Sequence, residues 1–298
     1  MKSTILLIKR NVKLFFKDKG MFFTALITPV ILLVLYTTFL GSVYRDAFTS
    51  NLPNTISISE GLIDSLVGSQ LISSILAVSC VTVAFCSNFL MVTDKANGTI
   101  KDIRISPIKS STLSITYYLA TIISTLIICL TATVLCLVYI ATVGFYMSVA
   151  DVILLVTDVI LLVLFGTALS SIINLFLSSQ GQISAVGTIV SSGYGFICGA
   201  YMPISSFNEG LQAIISFLPG TYGTVLIRNH SMRGALAQME KEGIPADAIN
   251  ALRDAVDCNI YFFDNKVEEW VMYLILGGTI LALLGIYILL NKLKKNQK

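Results

Sequence analysis

The sequence predicts an all-α integral membrane protein with six transmembrane helices, an N-terminal interfacial helix and an outer re-entrant helical hairpin. Only 12% of the 298 residues are charged and the mean hydropathy is +0.83, whereas soluble domains carry about 25% charged residues. Long stretches without any charge recur along the chain, and several exceed the roughly 20 apolar residues with which a helix crosses a bilayer. Lipid removes the need for a polar exterior, so both observations indicate a membrane-embedded bundle.

Residues 1–20 predict an amphipathic interfacial helix. Apolar side chains recur at helical spacing opposite a stripe of lysines, which sets Ile5, Ile8, Val12 and Phe15 against Lys9, Lys13 and Lys17. Such a helix lies with its apolar face in lipid and its lysines near anionic headgroups. The alternative is a basic membrane anchor with no further role.

The transmembrane domain is expected over residues 21–291, followed by a basic tail, 292–298. Because the charge-free stretch 110–150 is longer than one span, a tight turn near Gly144 is expected to divide it. The charge-free stretches place the six spans at about 21–43, 66–93, 112–141, 152–177, 183–202 and 267–290.

One apolar segment, residues 203–230, is interrupted and cannot cross the membrane as a single helix. Pro203, Pro219 and Gly220 divide it into two short pieces, which favours a re-entrant hairpin of half-helices covered by protein or water. The alternative is a surface loop with amphipathic turns. An acidic loop, 231–266, follows and is expected to contain short helices.

The distribution of basic residues predicts the orientation of the chain. Of the 20 Lys and Arg residues, six lie in the first 19 residues, four in 93–110 and four in 292–298. Six spans place these three segments on one side, and the positive-inside rule makes that side the cytoplasm. Both termini are therefore expected in the cytoplasm, with the loop 231–266 outside.

The loop 93–110 predicts a short polar helix. Asn97 and Gly98 favour a turn, Thr99 can cap a helix that runs through Arg104, and Pro107 interrupts it. Such an element can transmit force from a soluble partner, or it can be an ordinary connecting loop.

Asp158 is an ionisable residue inside the fourth span. A charge there is costly, which makes Asp158 a candidate for either a functional or a structural role. His230, the single histidine, is expected to be a solvated loop residue beside Arg228. Gly195 and Gly199 form a GxxxG motif that permits close helix packing, within one subunit or between two.

The chain lacks the motifs of the common catalytic and metal sites. It contains no GxxxxGK followed by Ser or Thr, so no phosphate-binding P-loop is expected. It contains no HExxH motif, and one histidine cannot form a histidine-rich metal centre. We therefore expect no catalytic residues, no metal site and no cofactor in this chain, and the chain itself is not expected to be an enzyme.

Three stretches give the chain a resemblance to a known family. These are the basic start RNVKLFFKDKGMFF, the loop DKANGTIKDIRISPIKSSTL, and the segment QGQISAVGTIVSSGYGFICGAYMPISSFNEGLQAIISFLPGTYG. Together they make the chain similar to the membrane subunit of type-2 ABC exporters, a permease family that includes drug, lipid and polysaccharide exporters. The resemblance covers almost the whole chain.

The resemblance implies that the loop 93–110 holds a coupling helix, which docks into a cleft on a separate ABC ATPase. The residues that match this family segment are Asp94, Lys95, Gly98, Thr99, Arg104, Ser106 and Pro107. ATP and Mg would be bound by two copies of that ATPase, beside a second permease copy. A homodimer is expected, and a heterodimer with a related permease stays open.

The resemblance also implies an outer gate and a substrate path between two permease copies, in a bacterial plasma membrane. The gate residues would be Pro203, Phe207, Pro219 and Gly220, and the path residues would be Phe85, Phe89, Ser191 and Phe196. Alternating access would export a drug-, peptide- or lipid-like amphiphile, and multidrug resistance is one such activity. The competing functions are an ion-coupled carrier or channel that uses Asp158, and a membrane-embedded enzyme.

Overall fold

The computed structural model describes residues 2–50, 58–105, 108–263 and 265–296. These residues form an almost wholly helical bundle whose helices are α1 Lys2–Lys17, α2 Lys19–Leu35, α3 Gly41–Ser50, α4 Glu60–Ala96, α5 Thr99–Ile105, α6 Ser110–Val143, α7 Val149–Phe176, α8 Gln180–Ile197, α9 Glu209–Ser216, α10 Pro219–Lys241, α11 Ala246–Ala255 and α12 Glu269–Asn296. A π-helical turn, Tyr36–Leu40, joins α2 to α3, and a 3-10 turn, Ile204–Ser206, precedes α9. Two short antiparallel strands, β1 Tyr261–Phe262 and β2 Asn265–Lys266, precede α12.

The central element is α4, which is buried along most of its 37 residues and packs against α2, α6, α7, α8 and α10. Small residues allow its neighbours to approach closely. A Cβ atom on Gly166 of α7 would lie 3.0 Å from the Cys80 carbonyl oxygen and 3.0 Å from the Val81 Cα. The two helices therefore meet so closely that a larger residue at this point would push their backbones apart.

The bundle has two distinct ends. The α5 end holds the C-termini of α4 and α7, where the Lys95 ammonium contacts the last carbonyls of α7. The α11 end holds the N-terminus of α4 and the loop between α6 and α7, where the Ser65 hydroxyl donates to the Gly144 carbonyl at 2.8 Å. The turn expected near Gly144 is therefore present and lies at the α11 end.

Among the described residues, five helical segments are long and apolar enough to cross a membrane. They are Lys19–Asp46, Glu60–Ala96, Ser111–Val143, Val149–Phe176 and Glu269–Leu293. Each overlaps a predicted span. The bent pair of α9 and α10, whose axes meet at 89°, raises the number to six if it counts as one span. The predicted span 183–202 is not in this set, because the helix α8 that contains most of it starts with Gln180 and Gln182, which lower its hydropathy, and ends at Ile197.

The boundary predicted at residue 230 is wrong. The helix α10 starts at Pro219 and continues without a break to Lys241, so the first part of the expected loop 231–266 is helical. The helix ends where Gly243 adopts a left-handed backbone with φ +84°, a conformation that glycine adopts without a steric penalty. The loop does contain one short helix, α11, as expected.

Candidate functional site

The short helix α5 is built by a glycine turn at the α5 end of the bundle. Gly98 adopts a left-handed backbone with φ +79°, and the Lys101 amide donates to its carbonyl at 2.8 Å. Thr99, expected to cap the helix, is its first residue, and the helix continues through the backbone of Arg104 to Ile105. Ser106 and Pro107, also expected in the coupling element, lie outside the described residues.

The helix α5 has one face on the protein and one face towards solvent. Ile100 and Ile103 pack against an apolar group, called the basal cluster here, formed by Leu90, Met91, Leu113, Tyr117, Leu175 and Tyr287. Lys101 and Asp102 are exposed on the other face. Ile105 is 86% exposed, so the exposed surface of α5 carries an apolar side chain as well as the charged side chains of Lys101 and Asp102.

Asp94 and Lys95 point into the protein and anchor the base of the loop. The buried Asp94 carboxylate accepts hydrogen bonds from Arg10 Nη1 at 2.7 Å and from Tyr117 Oη at 2.5 Å. Burial of the Arg10 guanidinium lowers its pKa, but the Asp94 carboxylate outweighs this effect, and the pKa of Arg10 is raised. This pair joins the end of α4 to α1 and α6.

Lys95 joins the same end of α4 to α7. Its ammonium donates to the carbonyls of Asn174, Leu175 and Leu177 at 2.9, 3.2 and 3.1 Å. These carbonyls end α7, where a helix leaves acceptors without internal partners and favours positive charge. Asp94 and Lys95 therefore hold the base of the loop against α1, α6 and α7.

The expected gate residues lie along the chain between α8 and α10. Pro203 precedes the 3-10 turn, and Phe207 packs against an apolar group that includes Tyr222. Pro219 is the first residue of α10, a position that proline favours because its missing amide has no helical partner there. A Cβ atom on Gly220 would lie 2.6 Å from the Tyr194 hydroxyl, so α10 starts in close contact with α8.

The four expected path residues differ in exposure. Phe85 and Phe89 are buried in α4, and the Phe89 ring fills the space beside Gly187 of α8. The Ser191 hydroxyl donates to the Gly187 carbonyl at 2.5 Å. Phe196 is half exposed and stacks edge-on with Tyr201. The two phenylalanines of α4 therefore belong to the core of this single chain.

The GxxxG motif serves packing within one chain. A Cβ atom on Gly195 would lie 2.3 Å from the Tyr201 ring, so only glycine leaves room for that ring. Gly199 lies beyond the end of α8 and has φ +71°. The two glycines therefore do not form a helical face that another subunit could meet.

Asp158 is fully buried at the junction of α7, α10 and α12. Its carboxylate oxygens lie 2.5 Å from His230 Nδ1 and 2.5 Å from Tyr273 Oη, which donates to it. The expectation of a solvated His230 is wrong, because α10 continues through this residue and directs the ring towards α7. His230 is 1% exposed.

Charged groups continue from His230 towards the α11 end. His230 Nε2 lies 3.9 Å from Glu269 Oε2, and Arg233 donates to the two Glu269 oxygens at 3.1 and 2.8 Å. Arg233 also lies 3.6 Å from Asp151. Of this group, the sequence alone identified only Asp158 as a candidate functional residue. A signal for the others was present, because His230 and Arg233, and likewise Glu269 and Tyr273, have the spacing of neighbours on one helical face.

A second buried pair links α10 to the loop after α11. The fully buried Arg228 guanidinium lies 3.3 Å from the Asp257 carboxylate and donates to the Gly199 carbonyl at 2.7 Å. Asp257 also accepts from the amides of Ile204 and Ser205 at 2.7 and 3.4 Å. Burial raises the pKa of Asp257, and these donors oppose the rise. Arg228 is thus a buried anchor, not the polar turn residue that the sequence suggested.

The fold defines a class of protein, a polytopic helical membrane protein, and at one end it carries a short helix with one buried and one exposed face. A family model described as ABC-2 type transporter matches residues 2–230. The chain belongs to this family, which confirms the resemblance. It is therefore a permease subunit of an ABC transporter, the membrane component that pairs with an ABC ATPase. No curated protein matches the chain.

Proposed function

We propose that the chain is the permease of an ATP-driven exporter for a drug-, peptide- or lipid-like amphiphile. The observation that carries this proposal is the two-faced helix α5, which rests on the basal cluster through Ile100 and Ile103 and exposes Ile105. A partner with an apolar cleft and surrounding charges fits that exposed face. The partner is an ABC ATPase, present in two copies, that binds ATP and Mg.

The contacts at the base of α5 support its role as a coupling element. The glycine turn makes the link between α4 and α5 short, and Asp94 and Lys95 join α4 to α1, α6 and α7. A displacement of α5 is therefore passed to several helices together. Alternating access follows if the two permease conformations differ in their affinity for the substrate.

The orientation we propose puts the α5 end in the cytoplasm of a bacterial cell and the α11 end outside, with α9 and α10 as the outer gate. The described parts of the basic segments lie at the α5 end, where Arg10 contacts Asp94 and Asn291 contacts Ser114, in agreement with the positive-inside rule. A second copy of the chain would complete the substrate path. The exposed apolar residues Ile189, Phe196 and Ile197 of α8 fit a position on that path.

The experiment that tests the proposal is co-purification with the ATPase from the native membrane, for the wild type and for Ile105→Asp. Burial of an isoleucine side chain contributes about 1.5–3 kcal/mol, so the variant should recover about 10- to 100-fold less ATPase. Val149→Asp is the matched control, because Val149 is also apolar and 78% exposed but lies at the α11 end. Equal recovery with Ile105→Asp and wild type, or no ATPase with the wild type, would refute the proposal.

An ion-coupled carrier is the second candidate, and the burial of Asp158 beside His230 favours it. Buried carboxylates with histidine partners occur in the proton pathways of transporters. In that case Asp158→Asn should abolish an ion-dependent flux in vesicles that contain this chain alone. A flux that requires the ATPase instead would exclude the carrier.

A further inference from the structure

An open crevice lies at the α11 end of the bundle, between the loop after α11 and the start of α12. Its volume is about 490 Å³, within the range of about 300–1,000 Å³ that is usual for ligand sites. Three elements line it, namely α11 through Arg253, β2 through Lys266, and α12 through Glu269, Trp270 and Tyr273. A ligand in this crevice therefore contacts three separate elements at once.

The charges that line the crevice leave it positive. Arg253 and Lys266 form no ion pair among the described residues. Of the two carboxylates, that of Glu269 is compensated by Arg233, which donates to its oxygens at 3.1 and 2.8 Å. Glu268 alone opposes the two cations, so the uncompensated charges sum to +1 (two positive, one negative). One singly charged anion neutralises them.

The Arg253 guanidinium lacks hydrogen-bond acceptors. The side chain is partly buried, and its buried Nε has no hydrogen-bond partner among the described residues. The adjacent Asp254 carboxylate instead accepts from Asn259 Nδ2 at 2.7 Å and from Tyr261 Oη at 3.0 Å. Donors without acceptors cost free energy, and a planar guanidinium group matches the oxygens of a phosphate. A phosphate in the crevice therefore supplies acceptors to Arg253.

An apolar stripe on α12 begins at the crevice. Trp270, Leu274, Leu281 and Ile288 recur at a spacing that places them on one helical face, and each is more than half exposed. Gly277 lies on the same face, and a Cβ atom there would meet nothing within 4 Å, so the stripe has a shallow groove near its middle. The stripe therefore offers an acyl chain a surface that leads away from the crevice.

Aromatic side chains indicate that the crevice lies at the membrane surface. Tryptophan is enriched where hydrocarbon meets lipid headgroups, and Trp270 begins the uncharged stretch 270–291 of α12. The hairpin that supplies Lys266 also carries the exposed Phe263, whose ring centroid lies 6.0 Å from that of Phe217. The crevice is therefore at the depth at which lipid phosphates lie.

We propose that the crevice binds the phosphate group of an anionic phospholipid, with one acyl chain along the stripe on α12. Arg253 and Lys266 donate to the phosphate oxygens, and Glu268 accepts from hydroxyl groups of the headgroup, such as those of phosphatidylglycerol. Trp270 packs against the start of the acyl chain. The lipid is a resident ligand that holds α11, the hairpin and α12 together, so the proposal goes beyond the export function and does not depend on it.

The first test measures lipid binding to the purified full chain by native mass spectrometry, in detergent and with phosphatidylglycerol added. The wild type should bind one molecule of this lipid more tightly than phosphatidylethanolamine, whose ammonium group cancels the phosphate charge. Arg253→Gln should weaken the binding of phosphatidylglycerol by about 10-fold or more, because hydrogen bonds between charged groups are lost. Lys266→Gln should weaken it less, because this side chain is exposed.

Lys241→Gln is the matched control for both variants. Lys241 is an exposed basic residue at the end of α10, and it is not among the residues that line the crevice. This variant changes the net charge equally and should bind the lipid as the wild type does. If Arg253→Gln does not fold, the two lysine variants decide the result. Equal affinities for the crevice variants and the control would overturn the proposal.

A second measurement separates a lipid from free phosphate. Trp270 is the only tryptophan in the chain, so its fluorescence reports quenching by lipids with brominated acyl chains. In phosphatidylcholine vesicles, a small fraction of brominated phosphatidylglycerol should quench Trp270 more than the same fraction of brominated phosphatidylcholine, and excess inorganic phosphate should leave this difference unchanged. Equal quenching by the two lipids, or loss of the difference when phosphate is added, would refute a lipid site. Neither measurement requires the ATPase, so failure here is distinct from failure of the exporter proposal.

Discussion

The ion pair between Arg10 and Asp94 should be a strong coupling contact between α1 and α4. Their side chains are 31% and 8% exposed, and the charged atoms are 2.7 Å apart. Water therefore screens this pair less than a surface pair, and the Asp94 carboxylate also accepts a hydrogen bond from the Tyr117 hydroxyl. Contacting residues within one network couple by about 0.5–3 kcal/mol, and we expect about 1–3 kcal/mol here.

A double-mutant cycle measures this coupling energy. Asp94→Asn removes the charge but keeps an acceptor oxygen for Tyr117, and Arg10→Met keeps much of the apolar stem. The free energy of unfolding is measured by equilibrium denaturation of the wild type, both single variants and the double variant. The coupling energy is the part of the double-variant effect that the two single variants do not explain.

The pair Arg45 and Asp64 provides the control within the same chain. These side chains also form an ion pair, but they are 43% and 41% exposed, so we expect a coupling of about 0.2–1 kcal/mol. Added salt should weaken the control pair more, because water and ions screen exposed charges. The reasoning fails if the coupling between Arg10 and Asp94 does not exceed that of the control.

Two further predictions concern glycines. Gly98→Ala should lower the free energy of unfolding by about 1 kcal/mol because of the left-handed backbone at this position, and it should reduce the ratio of transport to ATP hydrolysis. The control is Gly243→Ala, whose φ is +84° at the α11 end. It should cost a similar free energy and leave the ratio of transport to ATP hydrolysis unchanged. Equal ratios for the two variants would contradict the coupling role of α5. Gly220→Ala should destabilise the chain by about 1–3 kcal/mol, measured by denaturation, because the added methyl group is overpacked against Tyr194. Gly181→Ala is the control and should be tolerated, because a Cβ atom there has no neighbour within 4 Å. Equal stability of the two variants would contradict the overpacking at Gly220.

The sequence was sufficient to predict those helices and turns that depend only on residues close together in the chain. Five spans follow from hydropathy, and the turn before α5 follows from Asn97 and Gly98, because glycine accepts the left-handed backbone. The helix α8 shows the limit of counting charges. It carries no charge, but it begins with Gln180 and Gln182, which lower its hydropathy, and it ends at Ile197, before the predicted end of the span at residue 202.

The buried ionic contacts could not be predicted because their partners are distant in sequence. Arg228 and His230 look like a polar turn in a local window. Their partners, Asp257 and Asp158, lie 29 and 72 residues away along the chain. Burial of a charge is stable only with such partners, and a single sequence gives no sign of which helices will meet.

The length of α4 has a mechanical consequence. As one continuous helix of 37 residues, it is a rod of about 55 Å, longer than the roughly 30 Å hydrocarbon layer. A tilt of about 5° displaces one end of such a rod by about 5 Å relative to the other. Movement of α5 can therefore reach Ser65 and the turn at Gly144, at the far side of the bundle, through the leverage of one rigid helix and without refolding any element between them.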